Sequence, residues 1–121
     1  MVDRSGSMSP YWTNVVTWLE ALVDVYEIDG ITRKGGLVAW SSSVHTASTV
    51  LFTENLTGDQ LKDKIAFISP GGLTNGAVAL DYTYDNLFAI GSDPTVFREM
   101  IFISDGKSTT PLAPAATQVN Q

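Results

Sequence analysis

The alternation of helical and strand signals along this chain predicts an α/β fold, a mostly parallel sheet with helices on both faces. Three observations carry the expectation. Apolar residues recur at helical spacing through Trp12, Val15, Val16, Leu19, Leu22, Val23 and Tyr26. The stretch Gly35-Gly36-Leu37-Val38-Ala39-Trp40-Ser41 then changes to strand character. Two more helical segments follow before Met100-Ile101-Phe102-Ile103, a near-continuous apolar run of the kind a strand of a parallel sheet shows when both its faces are buried.

Taken in order, the first helix is expected to open at Ser9-Pro10, with Ser9 as N-cap and Pro10 at the first helical position, where its missing N–H costs nothing. Its apolar face includes Trp12, read as core, while Trp18 lies off that face; Asp29-Gly30 closes the segment. Residues 35–41 and Val44 to Phe52 read as two antiparallel strands turned at Ser42-Ser43. His45, the only histidine, reads there as a solvated strand residue rather than a ligand.

Thr57-Gly58-Asp59-Gln60 has the spacing of a capping box and opens a short helix with Leu61, Ile65 and Ile68 inward. Just before it, Asn55-Leu56-Thr57 forms an N-glycosylation sequon, which matters only in a secretory compartment. A further helix is expected from about Asn75 to Ala89, with Ala77, Leu80, Tyr84, Leu87 and Phe88 on one face. Gly91-Ser92-Asp93-Pro94 makes a turn, the strand over 98–104 leads into Asp105, and the residues after Ser108 are rich in Thr, Pro and Ala.

Composition narrows the function. A chain of 121 residues is one domain at most. Its formal charge of −6, with seven scattered basic residues, argues against a nucleic-acid or anionic-membrane partner. With no cysteine there is neither a disulfide framework nor a thiolate metal site. No apolar run in this segment is long enough to span a bilayer.

The chemistry concentrates in Asp3-Arg4-Ser5-Gly6-Ser7, where one carboxylate and two hydroxyls sit on a tight turn. Alone, Asp-x-Ser-x-Ser also fits an Asx turn or a helix cap. Its donors are all oxygen, which suits a hard cation such as Mg²⁺ better than zinc or copper. Two later stretches, Ser69-Pro70-Gly71-Gly72-Leu73-Thr74-Asn75-Gly76 and Ile103-Ser104-Asp105-Gly106, stand beside regular elements and can complete a ligand set.

With these three stretches in this order, the chain resembles the von Willebrand factor type A domain, known also as the inserted domain of integrins, with its metal-ion-dependent adhesion site. The resemblance implies a Rossmann-like, doubly wound fold. It further implies that Asp3, Ser5 and Ser7 form the first metal loop, Thr74 the second and Asp105 the third. Family members often have Thr-Gly where this chain has Gly76-Ala77, so one further hydroxyl near the loop is absent. The family fold places a buried central strand ahead of the first loop and further elements after the third. Residues 1–108 are therefore expected to be a domain truncated at both ends, with 109–121 beginning its remainder.

The implied function is protein binding in adhesion or matrix interaction. Three of the five ligands are neutral hydroxyls, so the cation, Mg²⁺ with Mn²⁺ or Ca²⁺ as alternatives, still seeks an anionic oxygen. An Asp or Glu carboxylate of a matrix protein or receptor supplies it, which implies an extracellular or cell-surface location; the same chemistry would serve an intracellular partner. An enzyme is the weaker expectation. A Mg²⁺-dependent hydrolase or phosphotransferase could use Asp3 as nucleophile and Asp105 as metal ligand, but the chain offers no phosphate cradle, and Lys107 reads as a surface charge.

Overall fold

The computed structural model describes residues 1–89 and 96–106. The turn read at residues 91–94, Lys107 and the segment 109–121 lie outside them. Strand β1 (Val2–Asp3) stands in the middle of the sheet and pairs in parallel with β2 (Ala39–Trp40), Val2 opposite Ala39 and Asp3 opposite Trp40. On its other side Val2 bridges Ile103, also in parallel. There Asp3 N–H donates to the Ile103 carbonyl at 2.8 Å and Ile103 N–H to that of Met1 at 2.9 Å. The Met1 nitrogen extends this ladder, donating to the Ile101 carbonyl at 2.7 Å.

Beyond β2 the chain returns antiparallel, with bridges Trp40 to Val44 and Leu37 to Val50. The expected second strand over 44–52 is not continuous, however. A 3₁₀ turn (Thr46–Ser48) interrupts it and another (Phe52–Glu54) follows. The hydroxyls of Ser48 and Thr49 bond the His45 carbonyl at 3.3 and 3.0 Å, competing locally with the ladder. His45 is half-buried rather than solvated, its Nδ1 is 2.7 Å from Ser48 Oγ, and burial followed by the Arg4 charge lowers its pKa.

Helix α1 (Trp12–Val25) buries Val15, Leu19 and Val23, and Trp12 and Val16 pack against the same core. Its start differs from the Ser9-Pro10 reading. A 3₁₀ turn (Gly6–Tyr11) precedes it with Pro10 inside, because Met8 N–H already bonds the Ser5 carbonyl at 3.0 Å. Trp18 is exposed. After the helix, Gly30 takes φ 76° with its Cα packed on the chain at Asn55. A Cβ there would meet the Asn55 carbonyl oxygen at 2.3 Å, so only glycine fits.

Helix α2 (Gly58–Ala66) opens with the expected capping box: Gln60 N–H donates to Thr57 Oγ1 at 3.3 Å, and Thr57 N–H to Gln60 Oε1 at 2.9 Å. It buries Leu61 and Ile65. Helix α3 (Gly76–Thr83) is capped by Asn75, whose Oδ1 accepts from Val78 N–H at 3.3 Å. Instead of staying α-helical to Ala89, it widens into a π turn (Tyr84–Phe88). Leu80 and Leu87 of the expected face are buried together with Ala79 and Thr83, while Ala77, Tyr84 and Phe88 are half-buried.

The helices cover both faces of the sheet. Val2, Leu37, Ala39 and Val50 share one core with α1 and α2, and the alternation of a strand sends Val38 and Trp40 to the opposite side. Two neighbouring glycines mark the sides: a Cβ on Gly35 would strike Leu61 of α2, and one on Gly36 would strike Leu87 of the π turn. Trp40 stacks at a tilt against Phe102, centroids 5.1 Å apart. Among the described residues no helix is long and apolar enough to cross a membrane.

Candidate metal centre

Asp3 ends the central strand and is fully buried. Its Oδ1 accepts the Ser5 N–H at 2.8 Å, an Asx-type turn, and its Oδ2 accepts the Ser104 hydroxyl at 2.9 Å. The loop thus folded places Ser5 Oγ 3.0 Å from Ser7 Oγ. The Ser7 hydroxyl in turn donates to Asp105 Oδ2 in a short hydrogen bond. Four of the five residues singled out in the sequence are thereby brought into one bonded cluster at the carboxyl ends of parallel strands, where open α/β sheets place ligands.

Thr74, the fifth, is buried on a loop tied down on both sides of it. Gly71 N–H donates to the Arg4 carbonyl at 2.7 Å, Gly6 N–H to that of Gly72 at 2.9 Å, and Asn75 N–H to that of Ser41 at 2.7 Å. Leu73 N–H donates to Ser42 Oγ at 3.3 Å. Gly72 has φ 83°, and a Cβ on it would stand 3.2 Å from Ser41 Oγ.

Three residues given no role by the sequence hold this arrangement. Arg4 donates from Nε to the Ser69 carbonyl at 2.7 Å and from Nη1 to Ser41 Oγ at 3.2 Å, clasping the second loop to the first. Ser41, at the end of β2, receives both Arg4 and Asn75. Ser104 bonds Asp3 across the sheet. Ser104 lay inside the motif beside Asp105, but its contact with Asp3 spans 101 residues of chain and no local pattern announces it.

The donor set fits a hard dication. Arg4 directs its charge to Ser69 and Ser41, and among the described residues the two ion pairs are Arg33 with Glu27 and Lys62 with Asp24. The buried Asp3 carboxylate is thus met by neutral donors only, and a buried charge is costly without a counter-charge. Adjacent oxygens around an octahedral ion at about 2.1 Å lie about 3.0 Å apart, which is the spacing of Ser5 Oγ and Ser7 Oγ. Among the described residues no three His, Cys, Asp or Glu side chains form a cluster, so an ion here would depend on hydroxyls as much as on carboxylates.

Fold and loops together define a class: an α/β domain with oxygen-bearing loops gathered at the carboxyl ends of its central strands. The family model of the von Willebrand factor type A domain matches residues 1–121, and the chain belongs to that family. It is 30% identical over 119 residues to von Willebrand factor A domain-containing protein 1 of Mus musculus, and 30% identical over 118 residues to that of Bos taurus. Each match covers 94% of this chain and 28% of the relative.

Among solved structures, proximal thread matrix protein 1 of the mussel byssus superposes with a TM-score of 0.81 at 24% identity, over 98% of this chain and 33% of that one. A second structure of that mussel protein, with a zinc-occupied metal-ion-dependent adhesion motif, gives a TM-score of 0.79 at 23% identity, with the same coverage. At that identity the likeness is one of fold. Membership in the family rests on the family model over residues 1–121, and the solved structures add the likeness of fold.

Proposed function

We propose that Asp3, Ser5, Ser7, Thr74 and Asp105 hold one divalent cation, Mg²⁺ first and Mn²⁺ or Ca²⁺ in its place, and that the chain uses it to capture an Asp or Glu carboxylate of a partner protein. The observation that carries this is the row Ser5, Ser7, Asp105, bonded oxygen to oxygen beside the buried carboxylate of Asp3. A dication held by these residues, directly or through water, would keep a position on the exposed side of the cluster for a partner's oxygen. A bound dication would supply Lewis acidity and charge at that position; the chain supplies rigid placement.

The role of the fold is to hold hydroxyls and carboxylates still while a partner approaches. Ser7 is exposed and Ser5 buried, so the cluster has an open side and a closed side. A binding module accounts for these residues better than an enzyme, since His45 is engaged with Ser48 and the Asp3 carboxylate is held by Ser5 N–H and the Ser104 hydroxyl. The mussel relative is a thread matrix protein, and an extracellular matrix or cell-surface setting is the one we assign to this chain.

The test is binding of this chain to immobilised collagen and to synthetic peptides bearing a single Glu, in Mg²⁺ and after chelation. The proposal expects binding that disappears with the chelator and drops at least tenfold when the peptide Glu becomes Gln, as loss of one partner of a desolvated charge pair does. Binding that survives both changes contradicts it.

A further inference from the structure

We infer that Ser104, which stands outside the proposed ligand set, is the positioning residue for both of its carboxylates. The inference rests on the cation reading above. The Ser104 hydroxyl donates to Asp3 Oδ2 at 2.9 Å and accepts Gly106 N–H at 3.1 Å. The second bond fixes the direction of the first. A backbone N–H can only donate, so it occupies an acceptor site of Oγ, and the single hydroxyl proton is left for Asp3.

With Ser5 N–H on Oδ1 and Ser104 on Oδ2, the Asp3 carboxylate is pinned at both oxygens and cannot rotate about its axis. Each oxygen keeps lone-pair capacity for a further partner. The same Ser104 Oγ shapes the third loop. Gly106 sits at φ 84°, in the left-handed region, and this turns its N–H back onto Ser104 to close a three-residue turn. Asp105 is the middle residue of that turn, and its Oδ2 receives the Ser7 hydroxyl. One hydroxyl thus sets the rotation of Asp3 and the presentation of Asp105.

Groups that orient metal ligands without touching the metal commonly matter 10–100-fold for affinity. The experiment is calorimetric titration of Mg²⁺ and of Mn²⁺ into the wild-type chain, Ser104→Ala and Ser104→Thr, with thermal unfolding of each in chelator. Ser104→Ala is expected to bind roughly 10–100-fold more weakly and, in chelator, to unfold at a lower temperature because the buried Asp3 carboxylate loses a donor. Ser104→Thr is expected to stay close to wild type in both because its hydroxyl can make both bonds.

Gly106→Ala provides a second variant, since a Cβ there meets nothing within 4 Å and only the left-handed turn is opposed. It is expected to weaken cation binding in the same direction. Wild-type affinity in Ser104→Ala or in Gly106→Ala overturns the assignment, and so does a Ser104→Thr chain as weak as Ser104→Ala. A wild-type chain that binds neither cation overturns the underlying cation reading, which is a separate and distinguishable result.

Discussion

The N–H of Gly6 donates to the carbonyl of Gly72 at 2.9 Å, so the loop carrying Ser5 and Ser7 is joined to the loop carrying Thr74 backbone to backbone. This contact needs both chains close, and Gly72 meets the need with a left-handed φ and no side chain against Ser41. Gly72→Ala opposes both. It is expected to cost about 1–3 kcal/mol in a urea unfolding titration and to weaken Mg²⁺ binding, because Thr74 moves with the loop. Unchanged values of both would mean that the loop can relax without disturbing the site.

Away from the site, the capping box of α2 gives a prediction about stability alone. Thr57→Ala removes the acceptor for Gln60 N–H and should lower stability by about 1 kcal/mol. Mg²⁺ affinity should not change, since α2 carries no proposed ligand. Parallel urea and cation titrations would check both halves.

His45 makes the fold sensitive to pH. Burial, and then the Arg4 charge, lowers its pKa, so the folded state favours the neutral ring. The stability it contributes is present above the ordinary histidine range and is lost as pH falls through it. Urea midpoints at about pH 8 and about pH 5, for the wild-type chain and for His45→Gln, check this: the substitution should reduce the drop between the two pH values.

Much of the fold is legible locally, where short-range chemistry decides. Thr57 and Gln60 announce the start of α2 three residues apart, and the spacing of Val15, Leu19 and Val23 marks the buried face of α1. The start of α1 was less legible. Pro10 is compatible with the first helical position, but the Ser5 carbonyl has already captured Met8 N–H and wound the chain into a 3₁₀ turn. Val44 to Phe52 has strand composition, yet Ser48 and Thr49 bend back to His45 and break the ladder.

The candidate site shows the same division. Asp3, Ser5 and Ser7 lie within five residues and declare themselves as a pattern, whereas Arg4, Ser41 and Ser104 act through contacts made only after folding. Arg4 occupies a variable place inside Asp-x-Ser-x-Ser, so its clasp on Ser69 has no sequence signature.

Charge separates the proposed ligands. Asp3→Ala removes a buried carboxylate and is expected to abolish Mg²⁺ binding, as is Asp105→Ala. Ser5→Ala removes a neutral donor that water can partly replace, so a reduction of about tenfold is expected. Calorimetry on the three variants checks the order, and equal effects of Asp3→Ala and Ser5→Ala would contradict it.

The most direct measurement is a crystal structure of the chain grown with Mn²⁺, with the ion located by its anomalous scattering. The account predicts one peak among the three loops, at about 2.0–2.6 Å from Ser5 and Ser7 oxygens, with Asp3, Thr74 and Asp105 around the same ion directly or through a single water. A peak elsewhere on the surface, or no peak while the Ser5, Ser7 and Asp105 side chains keep their mutual hydrogen bonds, would contradict it.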